Sequence, residues 1–433
     1  MKIDCFRLYG VWGKLTLFFI ASLLAIVASI WIADWQTERE IAANREWLLE
    51  RARPADARKE GSPIAGDCDG AAPFSKAAAF AEKLVARLGA LDLPAAVDPF
   101  LPDPQQHPAR RAAYFDAAAR SPEYESWLEE ADRAPRCSSL IRSDEPGFPD
   151  PNGTATYYHE LALAETFRCR AELGRADPVA AAGRALRLAR LSLKHGSTEP
   201  SSWLTLNSMN MRGPAYREIN AVLRAGPIPL TLRREIDEAL ALEENSPALH
   251  ARGLAHDAAG FPERFRRDSS GRTWPFRKVD SLDVAFILSL ERASVDLTDA
   301  SYQTVLDLCA RYRTELPSAR LTGSPAGRIV GFECTHQTIR RALAWARSMR
   351  ILNALQAKGD LTIPLDRLGL PPAVLLDPFD HAPLRRKFSA EGVSIYSVDR
   401  NLKDDGGAHD LYQDIGSFPL PSLVSPPAKG KSP

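Results

Sequence analysis

No pair of cysteines in this chain stands in a CxxC arrangement, and none sits in a cysteine/histidine cluster with zinc spacing, so a metal reading has little support. His159-Glu160 opens no HExxH pair, because the second histidine is missing, and it reads as an ordinary pair on a helix surface. The serine of GSPAG, Gly323 to Gly327, is second rather than central between its glycines, which excludes a GxSxG nucleophile elbow and leaves a turn. Net charge is lacking too: 55 basic residues balance 55 acidic ones, so no overall field draws the molecule to nucleic acid. Asn152-Gly153-Thr154 has the form of a glycosylation sequon and reads as a turn. The eight histidines are scattered, so a triad assembled in space is neither located nor excluded.

Long hydrophobic runs are equally scarce, with one exception. Leu15 to Ala33, LTLFFIASLLAIVASIWIA, is uncharged over 19 residues, enough at about 1.5 Å per residue to cross most of a hydrocarbon core of about 30 Å. Trp12 on one side and Trp31 and Trp35 on the other suit the headgroup layers. Lys2, Arg7 and Lys14 precede the run and Asp34, Glu38 and Glu40 follow it, which predicts a cytoplasmic N-terminus and an extracytoplasmic bulk. The run is longer than a signal-peptide core and ends in Trp-Ile-Ala-Asp-Trp, so an uncleaved inner-membrane anchor is expected. Cys68, Cys137, Cys169, Cys309 and Cys334 would then lie outside; five is odd, and Cys309 with Cys334 is the expected bridge.

The fold class predicted is mainly α: the transmembrane helix, an irregular antiparallel helical bundle or helical-hairpin array, and a small C-terminal antiparallel β hairpin module. The divisions fall at 1–35 (cytoplasmic tip and anchor), 36–73 (stalk and linker), 74–333 (helical body), 334–416 (helix plus hairpin) and 417–433 (a proline-rich tail expected to add nothing to the fold). Gln36 to Lys59 carries Ile41, Trp47, Leu48 and Leu49 at loose helical spacing, so the anchor helix is expected to continue outward. Helices are expected at Phe74 to Leu88 and Pro108 to Ala134. Four more follow, separated by GRADP, GSTEP and AGPIP. In GRADP, Gly174 suits the C-prime position, and Asp177 an N-cap with Pro178 in the first turn. Leu186, Ala189 and Leu193 then form an apolar stripe. Ser246 to Val279 reads as less regular, with the basic PERFRRDSSGRTWPFRK as a solvated loop lacking the glycine-rich context that aims backbone N–H groups at an anion. Helices resume at Leu282 to Arg292, Ala300 to Arg313 and Thr335 to Gln356, the last with Ala342, Trp345, Met349, Leu352 and Leu355 at spacings of three and four.

DPFDHAPLRRKFSAEGVSIYSVDRNLKDDGG, Asp377 to Gly407, is the densest pattern in the chain. PLRRKF and VSIYSV read as strands joined through Ser389-Ala390-Glu391-Gly392, with Val393 and Ile395 on one face, Tyr396 and Val398 on the other, and packing against the Thr335 to Gln356 helix. An apolar helix, a proline-rich loop, DPFD..PLR, IYSVD and then DDGG resemble the C-terminal part of major pseudopilins of type II secretion. The residues that carry the resemblance are Asp377, Pro378, Phe379, Pro383, Leu384, Arg385, Tyr396, Ser397, Asp399, Asp404, Asp405, Gly406 and Gly407. The module is similar, too, to the tail of large planctomycete-type bacterial envelope proteins with an N-terminal anchor and a helical body. The pseudopilin resemblance implies Ca2+ held by oxygens of Asp399, Asn401, Asp404, Asp405, Asp410 and Asp414; calcium takes six to eight such ligands. The other reading of the same residues is a solvated aspartate-glycine turn in which Asp410 or Asp414 caps backbone N–H groups. Lys403 stands where an EF-hand-like loop would place an oxygen, and no prepilin-peptidase context precedes Leu15. The function expected is an envelope scaffold or interaction module with protein partners and no nucleic acid. A secretion or pilus-like component, and a hydrolase that gathers a histidine with a serine or carboxylates in a pocket, are the alternatives.

Overall fold

The computed structural model describes residues 5–52, 76–77, 80, 122–133, 151–198, 202–259, 276–297, 300–315, 324–408 and 414–421. Its helices are α1 (Cys5–Ala52), α2 (Pro122–Arg133), α3 (Pro151–Gly174), α4 (Pro178–Thr198), α5 (Ser202–Ala225), α6 (Leu230–Ala241), α7 (Ser246–Ala259), α8 (Phe276–Asp296), α9 (Tyr302–Glu315) and α10 (Ser324–Lys358). Strands β1 (Arg385–Ser389), β2 (Gly392–Ser397) and β3 (Ile415–Gly416) form one antiparallel sheet in the order β1-β2-β3. The chain is thus mainly helical with a small sheet, and it divides into two compact units: Met1–Arg51 with Ala255–Ala293, and Ala52–Leu254 with Ser294–Pro433.

In the first unit, the apolar run Leu15 to Ala33 and the expected stalk as far as Ala52 lie on one helix, α1. No helix among the described residues is long and apolar enough to cross a membrane, and most side chains between 15 and 33 lie outside the described set. Farther along α1, Thr37, Ile41, Asn44 and Leu48 are buried at spacings of three and four, the stripe of a helix with one packed side. Arg292 of α8 donates to Asn44 Oδ1 at 3.2 Å and stacks over the Trp47 ring, and Arg45 donates to the Ala259 carbonyl at 3.1 Å.

In the second unit, α3, α4 and α5 pack on one another, as the short connections predicted. Asp177 caps α4 as expected, its Oδ1 accepting from Ala180 N at 2.9 Å, and Leu186, Ala189 and Leu193 are buried. The left-handed residue that ends α3 is Ala176, at φ 60°, rather than Gly174; Asp177 N and Ala176 N bond back to Glu172 O and Leu173 O in a Schellman pattern. Glu125 of α2 joins α3 and α4 through Arg168, Arg184 and Arg187. Burial would raise its carboxyl, but the three guanidiniums outweigh that and hold it at about 2.

The spine of this unit is α10, which packs against α5, α6, α9, β2 and β3. It begins eleven residues before the predicted Thr335, because the serine-proline of GSPAG starts a helix instead of a turn. Ala342, Trp345, Met349, Leu352 and Leu355 are buried as their spacing implied. The other faces carry buried polar side chains as well, and several of these are paired. Arg350 meets Asp237, Asn353 exchanges bonds with Arg233, and Gln356 donates to the Leu223 and Gly226 carbonyls.

The hairpin closes through Ala390-Glu391, with Arg385 opposite Tyr396 and Ser389 opposite Gly392. Val393, Ile395, Tyr396 and Val398 are all buried, so both faces are covered. Two expectations need correction. The start of the tail belongs to the fold: Leu420 pairs with Val393, Ser417 bonds to Ile395, and Phe418 lies edge-on to Trp345 at 5.9 Å. Gly392, at φ 131°, is required there, because a Cβ would fall 1.9 Å from the Leu420 carbonyl oxygen. The Cys309–Cys334 bridge is not made, since Cys309 is a free buried thiol, pushed up to about 11 by burial and Glu333. Most of Phe74 to Leu88, residues 108–121, the PERFRRDSSGRTWP segment and residues 422–433 lie outside the described residues; the first half of the Ser246 to Val279 stretch is the regular helix α7.

Candidate functional site

The DPFD stretch begins with a carboxylate that organises everything after it. Asp377 is fully buried; its Oδ1 accepts from Phe379 N at 2.8 Å and Ser397 Oγ at 2.7 Å, and its Oδ2 from Val398 N at 3.0 Å and Arg385 Nη1 at 2.6 Å. Burial pushes its carboxyl above the usual carboxylate range even against these donors. Arg385 forks between Asp377 and Asp380. Phe379, also fully buried, packs edge-on to Tyr302 at 5.2 Å while its carbonyl accepts from Tyr302 N at 2.8 Å, fastening the loop to the start of α9. The loop turns at His381, a non-glycine residue at φ 61° whose N–H bonds back to the Asp377 carbonyl.

Five of the six residues expected to ligate calcium are described, and each has a hydrogen-bond partner within the protein. Asp399, buried and at φ 49°, is held bidentate by Arg341 of α10 at 2.7 to 3.2 Å. Asn401 Nδ2 donates to Asp405 at 2.7 Å, and Asp404 Oδ1 accepts from Tyr396 OH at 3.0 Å and Gly406 N at 2.9 Å. Asp414 accepts from Gly407 N at 2.6 Å, the capping role of the solvated-turn reading. Asp410 lies outside the described residues. Among the described residues no group of three or more His, Cys, Asp or Glu side chains is placed to hold a metal ion.

Pro378 and His381 border a cavity of about 150 Å³ whose floor is one face of α10: His336, Ile339, Arg340, Leu343 and Arg347. Those positions recur at three and four, so the polar residues of the set share a side with Ile339 and Leu343. Glu244, Pro247 and His250, around the start of α7, and Ala300 complete the wall. Arg347 is fixed by Glu244, at 2.7 and 3.1 Å, and by the Leu376 carbonyl at 2.7 Å; this ties α10 both to the turn before α7 and to the segment leading into Asp377. Arg340 is braced by the carbonyls of Leu297 and Ala300.

Three side chains set the chemistry. Ser294 Oγ lies 3.1 Å from His336 Nε2, and Arg340 Nη1 lies 3.0 Å from His336 Nδ1. A guanidinium only donates, so Nδ1 must accept, and Nε2 carries the proton and donates to the serine. Burial, then Arg340 and His250, pushes His336 well below its ordinary value, in keeping with a neutral ring. This is the reverse of a serine nucleophile, where the second ring nitrogen donates to a carboxylate and Nε2 takes the serine proton. His250, edge-on to His336 at 6.0 Å, is fully buried, and neither of its ring nitrogens has a hydrogen-bond partner among the described residues. Burial and Arg340 push it down to about 3. Sequence reasoning missed the cavity because its residues come from four separate stretches; the one local signal was His336 and Arg340, four apart on a helix with little exposed surface. No family model matches the chain, and no curated protein or solved structure is similar to it.

Proposed function

We propose that this is a membrane-anchored protein of the bacterial envelope whose extracytoplasmic helical body acts as a scaffold or binding module and not as a hydrolase. The membrane part of the reading is supported by the uncharged run Leu15 to Ala33 and its charge asymmetry, together with the exposed Val27, Trp31, Ile32 and Trp35 on α1. The observation that carries the rest is the polarity of the Ser294–His336 pair. With Arg340 donating to Nδ1, the imidazole offers Ser294 a proton instead of a lone pair and cannot serve as its general base. A serine-reactive fluorophosphonate probe is therefore expected to leave the full-length protein unlabelled. Labelling that vanishes in Ser294→Ala would overturn the binding-module reading.

A further inference from the structure

We propose that the cavity beside the DPFD loop binds a small neutral molecule that carries a hydroxyl group on an apolar body no larger than about one benzene ring, such as a phenol. The inference rests on reading the cavity as non-hydrolytic and adds the class of molecule it takes.

His250 supplies the first argument. Buried polar groups in folded proteins are almost always hydrogen-bonded, and the exceptions call for a cause. This imidazole is fully buried, lines the cavity, and finds no partner for either nitrogen among the described residues. Burial keeps it neutral, so one nitrogen has a proton to give and the other a lone pair to fill. A hydroxyl both donates and accepts, and it therefore pairs with whichever nitrogen it meets.

The charged side chains of the lining supply the second, because they are bonded within the protein. Arg347 is held by Glu244 and the Leu376 carbonyl, and Arg340 by the Leu297 and Ala300 carbonyls and by His336 Nδ1. An ionic guest would have to draw one of these groups from its partners or give up its water with no charge to meet it, and burying an unpaired charge costs much more than burying a hydroxyl. A neutral guest leaves every one of these bonds in place.

The apolar lining supplies the third. Pro247, Ala300, Ile339, Leu343 and Pro378 also border the cavity. A buried water is held by several polar partners, which the side chains of these residues do not provide, so water suits the His250 wall and not this one. An apolar body set against them is removed from water there. An apolar cavity of about 150 Å³ is large enough to hold benzene, and this cavity has a volume of about 150 Å³.

The test uses the full-length protein in detergent, titrated with phenol, benzene and sodium benzoate at matched free concentrations while the melting temperature is followed. A saturable rise is expected with phenol, at a midpoint concentration about tenfold below that of benzene, and none with benzoate. In His250→Phe, checked for fold by circular dichroism, benzene should bind more tightly than phenol, because the hydroxyl then enters the cavity without its partner. Should that variant not fold, Leu343→Phe, which narrows the cavity from the α10 side, should weaken phenol about tenfold. No saturable phenol effect, phenol no tighter than benzene in the native chain, or a saturable benzoate effect would each overturn the proposal. So would the native order of affinities in folded His250→Phe, or an unchanged phenol midpoint in folded Leu343→Phe. Failure here without labelling of Ser294 by fluorophosphonate leaves the binding-module reading standing; labelling of Ser294 would overturn that reading instead.

Discussion

Asp377 and His250 are both fully buried polar side chains of the same unit, yet the first accepts four hydrogen bonds and the second has no partner among the described residues. Around Asp377 the donors come from one short stretch: Phe379 N, Arg385, Ser397 and Val398 N lie within 21 residues of it. Around His250 the neighbours come from α10, α7 and the loop at His381, and they contribute charge and apolar surface but no bond to its ring. A saturated buried carboxylate is a fastening, because every atom it needs is already in the protein. An unsaturated buried imidazole beside a cavity is a place for something else. The loop is thus a fastening whose outer edge, Pro378 and His381, borders the cavity.

The largest effect should follow from breaking the fastening. Asp377→Ala removes one of the two carboxylates that hold Arg385 and leaves the Ser397 hydroxyl proton and two backbone N–H groups without their acceptor, which predicts a loss of about 3 kcal/mol in urea unfolding. A loss below about 1 kcal/mol would mean that the loop is held by Phe379 packing alone.

Acid should come next, acting on the cavity instead. The His250 value is lowered in the folded state to about 3 and is ordinary, near 6.5, in the unfolded chain. Between those values the unfolded state binds the proton and the folded state does not, so stability is fully present above 6.5 and is lost as pH falls through the window. His336, lowered by the same causes, adds to the slope. About 1.4 kcal/mol per pH unit is expected from His250 once pH is below 6.5, and the difference between the native chain and His250→Gln, unfolded from pH 6.5 to 5, separates it from buried carboxylates such as Asp377, whose raised value acts in the opposite sense. A flat profile there would contradict buried neutral histidines.

The smallest effect is expected at the acidic turn. Asp404 and Asp405 are exposed and bond to Tyr396, Gly406 and Asn401, so the Asp404→Ala, Asp405→Ala double variant should cost less than about 1 kcal/mol in the same unfolding assay. A cost rivalling that of Asp377→Ala would erase the contrast between the inward and the outward aspartates.

These contrasts also mark what a sequence reveals. The alternation of Val393, Ile395, Tyr396 and Val398 and the three-four spacing of Trp345, Met349, Leu352 and Leu355 are local periodicities, and both named buried faces correctly. β3 was illegible because two residues, Ile415 and Gly416, have no period. The strand-like pairing of Leu420 was hidden by its prolines, which suit a sheet edge as well as a loose tail. Arg341 and Asp399, 58 residues apart, meet only once the hairpin lies on α10, and that contact drew the first of the six expected calcium ligands to an arginine. The cavity was least legible of all. Ser294, His336 and His250 are ordinary residues on three helices, and it is the bracing of Arg340 that decides what their nearness means.

The most direct test of the account is therefore the protonation of the His336 ring, read by 15N nuclear magnetic resonance at neutral pH with His336→Gln to assign the signal. A neutral ring with the proton on Nε2 and a bare Nδ1 is predicted, as an imidazole that donates to Ser294 and accepts from Arg340 must be. A proton on Nδ1 with a bare Nε2 would contradict it and make Ser294 a candidate nucleophile again, and a charged imidazolium would contradict the neutral ring.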